Sequence, residues 1–391
     1  MIEPFAWLVA LSLAAPLSYL GVELFFGLRP FSPKPPSAAP SRICVLVPAH
    51  NEGAGIAATV EELAAAAPGA QILVIADNCS DATAARARQA GADVVERNDP
   101  GRRGKGFALA FGRERLTGTP PDVVIVVDAD CRLEKGSAER LAARAMTCGR
   151  PVQAANLLTA DKDPSPLVAV SNFAMLVKNL IRARGLVRLG GGSLLFGTGM
   201  AFPWPLFATL PLASGDAVED LNLGLWLARR GTGVELDDRS LVTSPAAPLT
   251  DSHAQRSRWE HGFLRTAITQ AIPMLFRGVA TASRHVLTLG AHLLVPPLAL
   301  LILLTVPTLA LLVVAGMWTG NWVPLLLTGA SFGIAAFALF ASWWKYGRGI
   351  LPLGALLRVP VYILWKIPIY VGFFTRNQMV WNRTRREDER H

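Results

Sequence analysis

Three stretches of the chain are almost wholly apolar and long enough to cross a membrane. They cover residues 5–28, 286–317 and 323–344. About 20 apolar residues in a helix span a hydrocarbon core of about 30 Å. We therefore predict an N-terminal transmembrane helix over 1–28 and a transmembrane hairpin over 285–344. Within the hairpin, either Pro296-Pro297 kinks the first helix or the start of that helix lies along the membrane surface.

Residues 42–284 have the pattern of a water-soluble α/β domain. Short apolar runs that alternate with helical stretches predict parallel strands covered by helices on both faces. Polar residues gather where these runs end, and sheets of this kind bind ligands at the carboxyl ends of their strands. The five predicted strands cover residues 43–47, 71–76, 93–96, 122–127 and 152–158.

The charge of the chain is concentrated beside the apolar stretches. The net charge is +9, from 38 basic and 29 acidic residues. Basic residues flank the cytoplasmic ends of membrane spans, which predicts an external N-terminus and a cytoplasmic middle domain in the cell (inner) membrane. No interior basic stripe with interleaved aromatic residues is present, which argues against nucleic-acid binding. Four cysteines without zinc spacing indicate small buried side chains in a reducing compartment.

Two apolar stretches contain charged residues that a membrane span tolerates poorly. In 350–374, Arg358 and Lys366 interrupt the run, so we predict an amphipathic helix in the cytoplasmic interface, with a fourth span as the alternative. Within the first span, Glu23 is expected to lie near the inner interface. A Pro-rich linker over 29–41 separates this span from the middle domain.

A pair of carboxylates follows the fourth predicted strand. Asp128 and Asp130 are two residues apart, so a strand that continued straight would point both to one face. Carboxylate oxygens are suitable ligands for Mg²⁺ or Mn²⁺, and the phosphates of a donor would complete the shell. We predict a divalent metal site here, which would offset charge building on a nucleoside diphosphate leaving group.

Further polar groups are candidates for the same site. Glu52 and Asp77 end the first two strands, where they could hold a nucleotide, and Lys105 opens a helix after a basic glycine turn and could pair with phosphate. A solvated lysine is the alternative for Lys105. The glycines of Gly197-Thr198-Gly199 would let a sugar approach the backbone, and a β-bulge is the alternative.

Two later motifs complete the set. Val218-Glu219-Asp220 begins a predicted helix. We interpret Glu219 as a partner of the helix dipole and Asp220 as a catalytic base. Gln255 and Arg258 share one helix face, where Arg258 can bind a diphosphate, and Trp259 offers a flat surface to an acceptor sugar or lipid.

These motifs, in this order, resemble the membrane-bound family 2 glycosyltransferases, in both the polysaccharide-synthase and the ceramide-glucosyltransferase-like branches. The segments that carry the resemblance are PAHNE, ADNCSD, DAD, VED and QRSRW. It implies an α/β GT-A (Rossmann-like) catalytic domain with flanking α-helical transmembrane segments, and an enzyme that inverts the anomeric centre in one displacement. The donor site would contain Pro48, Glu52, Asp77, Lys105, Asp128, Gln255, Arg258 and Trp259.

The resemblance also implies the remaining roles. Asp77 would contact the base, Asp128 and Asp130 would hold metal, and Asp220 would be the general base. The acceptor site would contain Gly197, Thr198, Gly199 and Trp259. Val218 replaces the threonine usual in polymer synthases, which puts only a supporting hydrogen bond in doubt.

The predicted function is transfer of a sugar from a nucleotide-sugar donor to a membrane-associated acceptor, either a lipid or a nascent polysaccharide. The small number of spans tilts the interpretation toward a lipid-linked acceptor, or toward a polysaccharide synthase subunit that needs an export partner protein. An inactive nucleotide-sugar sensor or scaffold is the alternative of another class. The expected domains are 42–265 for catalysis, 266–284 for an interfacial helix and 345–391 for the C-terminal interfacial helix and basic tail.

Overall fold

The computed structural model describes residues 2–31, 40–159, 164–216, 218–245 and 249–375, with the side chains of 249–255 excepted. The chain folds into two compact units. The sheet unit takes its described residues from 31–159 and 192–259, and the helical unit from 1–30, 160–191 and 260–377. Residues 160–191 lie inside the predicted catalytic domain but belong to the helical unit, because their helices pack against the first helix of the chain.

The sheet unit is built on one mixed sheet of eight strands in the order β3-β2-β1-β4-β7-β6-β8-β5. The strands are β1 Ile43–Ala49, β2 Gln71–Asp77, β3 Asp93–Arg97, β4 Val123–Val126, β5 Arg132–Leu133, β6 Val152–Thr159, β7 Met200–Pro203 and β8 Glu235–Pro245. Strands β1 to β4 are parallel, as their apolar runs predicted. β7 lies antiparallel between β4 and β6, so the fifth predicted strand is not the neighbour of the fourth.

Helices cover both faces of this sheet, which confirms the α/β prediction. Alternation along β1 sends Val45 and Val47 into one apolar layer and Cys44 and Leu46 into the other, and all four side chains are fully buried. The helices of this unit are α2 Ile56–Ala66, α3 Thr83–Gln89, α4 Lys105–Leu116, α5 Ser137–Cys148, α8 Trp204–Phe207 and α9 Glu219–Arg229.

The helical unit begins with α1, Ile2–Gly27. Its other elements are α6 Pro166–Leu176, a π-helical turn Val177–Arg182, α7 Ala183–Arg188, the later part of α10 (Leu249–Ala280), α11 Arg284–Leu293, α12 Leu298–Thr319, α13 Val323–Ser342, a second π-helical turn Trp343–Gly347, α14 Leu353–Leu356, α15 Val359–Trp365 and α16 Ile367–Thr375. Because α10 is continuous, it crosses the boundary predicted at residue 265.

Three helices of the described chain are long and apolar enough to cross a membrane: Ile2–Gly27, Leu298–Thr319 and Val323–Gly347. Their number and positions match the predicted spans, and they indicate that the chain is membrane-associated. Between α11 and α12 the helix breaks at Pro296-Pro297. Proline has no amide proton to donate to the preceding turn, so the long apolar stretch forms two helices.

Residues 350–374 form three short helices rather than one amphipathic helix. Lys366 is only 7% exposed, and its ammonium group forms an ion pair with Glu260. The sequence pattern did not predict this burial. A partner 106 positions earlier in the sequence neutralises its charge.

Glu23 lies in the last part of α1 and is enclosed by protein. Its carboxylate is fully buried, with one oxygen 2.5 Å from Arg182 Nε and the other 2.5 Å from His292 Nδ1. Close backbone packing creates this enclosed position, since a Cβ on Gly185 would lie 1.9 Å from the Glu23 carbonyl oxygen. Only glycine allows two helices to approach so closely.

Candidate active site

The loops after β1 and β2 are held together by side-chain hydrogen bonds. Asn51 Oδ1 accepts from the Ser80 amide at 2.7 Å, and Asp81 Oδ2 accepts from the Gly53 amide at 2.9 Å. Asn51 and Asn78 have φ values of 53° and 51°, which the short polar side chain of asparagine tolerates. These bonds fix the backbone at the carboxyl edge of the sheet, where Pro48 and Glu52 lie.

Asp77 is paired inside the sheet unit. Its Oδ1 accepts hydrogen bonds from Arg97 Nη1 at 2.6 Å and from Asn78 Nδ2 at 2.9 Å. Arg97 ends β3 and also bonds the Arg102 carbonyl at 2.8 Å. The arrangement orients Asp77 at the strand end, as a residue that contacts a nucleotide must be oriented, and that role stays a prediction.

The carboxylate pair lies in a turn and not in a continued strand. β4 ends at Val126, and the Cys131 amide donates to the Asp128 carbonyl at 3.0 Å. The straight-strand geometry expected for Asp128 and Asp130 is therefore wrong. Burial raises the pKa of Asp128; Lys105 opposes this shift and the charge of Asp130 adds to it.

Lys105 connects the carboxylate turn to the glycine segment. It is the first residue of α4, where the helix dipole disfavours a cation. Its Nζ forms an ion pair with Asp128 and donates to the Gly197 carbonyl at 2.8 Å. Burial lowers the pKa of Lys105, but the carboxylates of Asp128, Glu219 and Asp220 outweigh it and raise the pKa above its usual range. Lys105 is thus a paired lysine and not a solvated one.

Glu219 and Asp220, the first two residues of α9, lie beside this lysine. A Cβ added to Gly197 would be 3.3 Å from Asp220 Oδ2 and 3.5 Å from Lys105 Nζ, so Asp220 and Lys105 face the same backbone. Burial, with the charge of Asp220 next, raises the pKa of Glu219 to about 7. The interpretation of Glu219 as a partner of the helix dipole does not account for this raised pKa.

The Gly197-Thr198-Gly199 segment is supported from beneath by Gln153. This fully buried glutamine on β6 donates to the Thr198 carbonyl at 2.8 Å and accepts from the Phe196 amide at 2.9 Å. Thr198 Oγ1 in turn accepts from the Asp128 amide at 3.2 Å. A side chain at Gly199 would meet Val242 at 2.7 Å, so core packing explains the second glycine. Gly197 is the glycine that faces the charged cluster.

A pocket of about 200 Å³ opens beside Glu219 and Asp220. Its wall combines carboxylates, hydroxyl and amide groups with the indole of Trp226, a combination suited to sugar hydroxyls and a sugar face. The lining residues are Gly106, Leu109, Met200, Pro211, Leu212, Ser214, Asp216, Glu219, Asp220, Asn222, Leu223 and Trp226.

The QRSRW residues lie on α10. Arg258 and Trp259 are partly buried, and burial lowers the pKa of Arg258. The Gln255 side chain lies outside the described residues. The contacts described above bring together five of the predicted site residues: Lys105, Asp128, Gly197, Thr198 and Asp220. The donor and acceptor roles of Arg258, Trp259 and Gln255 stay predictions.

The cluster suits a divalent cation. Lys105 faces the carboxylates of Asp128, Glu219 and Asp220, and Asp130 is close enough to raise the pKa of Asp128. Asp128 retains 35% exposure on its side chain. Among the described residues, no group of three or more His, Cys, Asp or Glu side chains could hold a metal alone. Two aspartates could hold one if donor phosphates supplied the other ligands.

Sequence reasoning missed three residues of this region. Arg97 is the last residue of β3, beside the strand that ends at Asp77, and Gln153 is a polar residue near the start of β6. These positions could have marked both residues for attention. Glu219 was discounted because an acid at a helix start has an ordinary explanation. Its burial depends on the fold of the segment around residue 197, which local sequence does not reveal.

Comparison with known proteins gives one family match. The sequence profile described as glycosyltransferase-like family 2 matches residues 40–262, more than half of the chain. Comparison with curated protein sequences gives no significant match.

Solved structures with a similar fold are also glycosyltransferases. A mannosyltransferase from Pyrobaculum calidifontis, in complex with GDP-Man and Mn²⁺, is 18% identical with a TM-score of 0.54, over 94% of this chain and 100% of that one. Glucosyl-3-phosphoglycerate synthase from Mycobacterium tuberculosis, with Mn²⁺, UDP and phosphoglyceric acid, is 22% identical with a TM-score of 0.39, over 56% of this chain and 78% of that one. At these identities the likeness concerns the fold.

Proposed function

We infer the function of this chain from the fact that it belongs to glycosyltransferase-like family 2, and we propose that it transfers a sugar from a nucleotide-sugar donor to a membrane-associated acceptor. The observation that carries the proposal is the convergence of Lys105, Asp128 and Asp220 around Gly197. A transferase of this kind needs charge that binds a diphosphate and a base that accepts a proton, and this cluster supplies candidates for both.

The proposed reaction is a single displacement at the anomeric carbon. The acceptor hydroxyl oxygen forms a bond to that carbon while the bond to the diphosphate oxygen breaks. The nucleoside diphosphate leaves, and the hydroxyl proton passes to the Asp220 carboxylate. Because attack and departure occur on opposite faces, the anomeric configuration inverts. A positioned general base contributes about 10²–10⁴-fold to such a rate.

Asp128 and Asp130 would hold Mg²⁺ or Mn²⁺ together with the donor phosphates. When bound, the metal neutralises charge that develops on the leaving diphosphate. Lys105 already contacts Asp128, so an incoming diphosphate would offer its ammonium group a second anionic partner. The mannosyltransferase with a similar fold was solved with GDP-Man and Mn²⁺, which supports this assignment for the present chain.

The acceptor is proposed to be a lipid or a lipid-linked saccharide at the cytoplasmic face of the inner membrane. Three span-length helices and the basic residues at their ends support this arrangement. The short helices of 353–375, none of span length, support a C-terminus on the cytoplasmic side. A reporter fused after His391 tests the last point, and an external signal would require a fourth span.

The experiment is a transfer assay on the full chain reconstituted in lipid vesicles. Purified protein is incubated with Mg²⁺ or Mn²⁺, with each of a panel of radiolabelled nucleotide sugars and with extracted membrane lipids. We expect one donor to release nucleoside diphosphate and to label the organic phase. Absence of release with every donor would favour a nucleotide-sugar-binding scaffold, whereas labelled insoluble polymer would favour a polysaccharide synthase.

A further inference from the structure

An open groove of about 1070 Å³ lies in the helical unit, beside the end of α1 and the end of α13. One wall is apolar and largely aromatic, with Phe25, Phe337 and Phe340 exposed by 67%, 72% and 53%. α1 and α13 are both span-length helices, so their ends are expected at the headgroup level of a bilayer. The groove is lined by Phe25, Phe26, Leu28, Arg29, Arg188, Phe337, Phe340, Ala341, Trp344, Lys345 and Arg348.

Four cationic side chains converge on this groove from three separate segments. Arg29 follows α1, Arg188 ends α7, and Lys345 and Arg348 follow α13. No acidic residue is among the described residues that line the groove. A surface that gathers four positive charges from distant parts of the sequence, with no carboxylate among its own lining, is complementary to an anion.

The geometry of the groove is set by contacts within the unit. Arg188 Nη1 donates to the Phe26 carbonyl at 2.8 Å, and Lys345 Nζ donates to the Leu28 carbonyl at 2.9 Å. The Arg348 guanidinium lies over the Trp344 ring, 4.5 Å from its centroid. These contacts join the ends of α1, α7 and α13, so Arg188, Lys345 and Arg348 occupy defined positions beside the aromatic wall.

We propose that this groove binds one anionic phospholipid. The phosphate lies among the four cations, and one acyl chain follows Phe25, Phe337 and Phe340. An amphipathic anion matches both parts of the surface, whereas free phosphate would leave the aromatic wall uncovered. The lining offers no carboxylate that could take a proton from an acceptor, so the lipid is bound there and not glycosylated. The proposal does not depend on the proposed function.

The test measures lipid binding by the purified full chain in a neutral detergent. Phosphatidylglycerol and phosphatidylcholine are titrated separately, and retained lipid is counted by native mass spectrometry. Arg29→Gln and Arg348→Gln are the main variants, because Arg188 and Lys345 also hold the end of α1. A cation near a membrane surface contributes about fivefold in affinity, so phosphatidylglycerol should bind about fivefold more weakly to each variant and about 25-fold more weakly to the double variant.

The matched control is Arg358→Gln, which removes an exposed arginine of the same unit that does not line the groove. It should leave phosphatidylglycerol binding unchanged, and Arg348→Lys should retain most of it. An equal loss in Arg358→Gln would overturn the proposal in favour of general surface attraction. The proposal would also be overturned if the unchanged protein retained phosphatidylcholine as well as it retains phosphatidylglycerol. Full displacement of the lipid by inorganic phosphate would overturn it too. Thermal unfolding of each lipid-free variant separates loss of binding from loss of folding.

Discussion

Two groups of charged side chains, one in each unit, differ in their exposure to solvent. In the helical unit, the Glu23 carboxylate lies between Arg182 and His292, and each of the three side chains is at most 7% exposed. In the sheet unit, Lys105 faces the carboxylates of Asp128, Glu219 and Asp220; the Asp128 side chain is 35% exposed, and the last two line a pocket.

The difference separates a structural charge cluster from one built to receive a ligand. Charges removed from water need partners within the protein, and the Glu23 cluster supplies them on every side. The Lys105 cluster is partly open to solvent at Asp128, where a divalent cation could bind, and polar groups line its pocket, where a sugar could form hydrogen bonds. Changes in the first cluster should therefore affect folding, and changes in the second should affect turnover.

Removal of metal should have the largest effect on turnover. Excess EDTA should abolish transfer. Asp130→Asn should also abolish transfer, because a carboxylate ligand is lost. Its unfolding temperature should equal that of the unchanged protein, because no core contact is lost. Transfer of radiolabelled sugar and thermal unfolding are measured on the same preparation. Asp99→Asn, which changes a carboxylate paired with Arg97, serves as the control. Full transfer in EDTA would remove the metal from the proposal.

Loss of the base should come next. Asp220→Asn keeps the shape of the side chain but cannot accept the acceptor proton, so transfer should fall by about 10²–10⁴-fold. Binding of nucleoside diphosphate, followed by calorimetry, should remain close to that of the unchanged protein. Asp93→Asn is the matched control, since Asp93 accepts a hydrogen bond from Gln71 at an exposed site and does not line the pocket. Near-normal turnover in Asp220→Asn would move the role to Glu219.

Glu23→Gln should destabilise the chain without a direct effect on chemistry. The change leaves Arg182 buried beside a neutral amide, and breaking a buried ion pair from one side costs about 3–5 kcal/mol of the free energy of unfolding. The measurement is thermal and denaturant unfolding in detergent, with Glu3→Gln as the control on the exposed end of the same helix. Glu3 bonds Asn321 at 2.7 Å at an exposed site, so its loss should matter little.

A double variant sharpens this result. Glu23→Gln with Arg182→Met removes both charges and should recover part of the lost stability, because no uncompensated cation remains. If Glu23→Gln and Glu3→Gln have the same free energy of unfolding, the buried cluster contributes no more to stability than an exposed carboxylate does.

The two clusters also differ in how far the sequence predicted them. Asp128 and Asp220 were found because polar residues at strand ends and helix starts have a local signature, and parallel strands bring their carboxyl ends to one edge. The partner of Glu23 was not predicted, because Arg182 is 159 positions away in the sequence. A charged residue within an apolar helix is visible in the local sequence. The distant residue that neutralises its charge is not.

The sheet shows the same limit. Strands β1 to β4 follow from apolar runs between helices, whereas β5 has only two residues and the short β7 pairs antiparallel with β4 and β6. Such short segments pair because the tertiary structure positions them and not because of their own pattern. The contact between Gly197 and Asp220 depends on β7, so the burial of Glu219 beside it could not be predicted from the helix-start motif.

The smallest effect is expected from the titration of Glu219. Its pKa in the folded protein is raised to about 7 from 4.5, so the folded protein holds a proton there that the unfolded chain has already released. The free energy of unfolding should therefore fall as pH rises from about 4.5 to about 7. Glu219→Gln cannot release this proton, so its fall over the same window should be shallower. Unfolding is measured at pH 5 and pH 8 in EDTA, where no metal perturbs the cluster, with exposed Glu96→Gln as the control. Equal pH dependence in both variants and the unchanged chain would show that the fold does not raise the pKa of Glu219, which would then be ionised at neutral pH and add to the negative charge of the cluster.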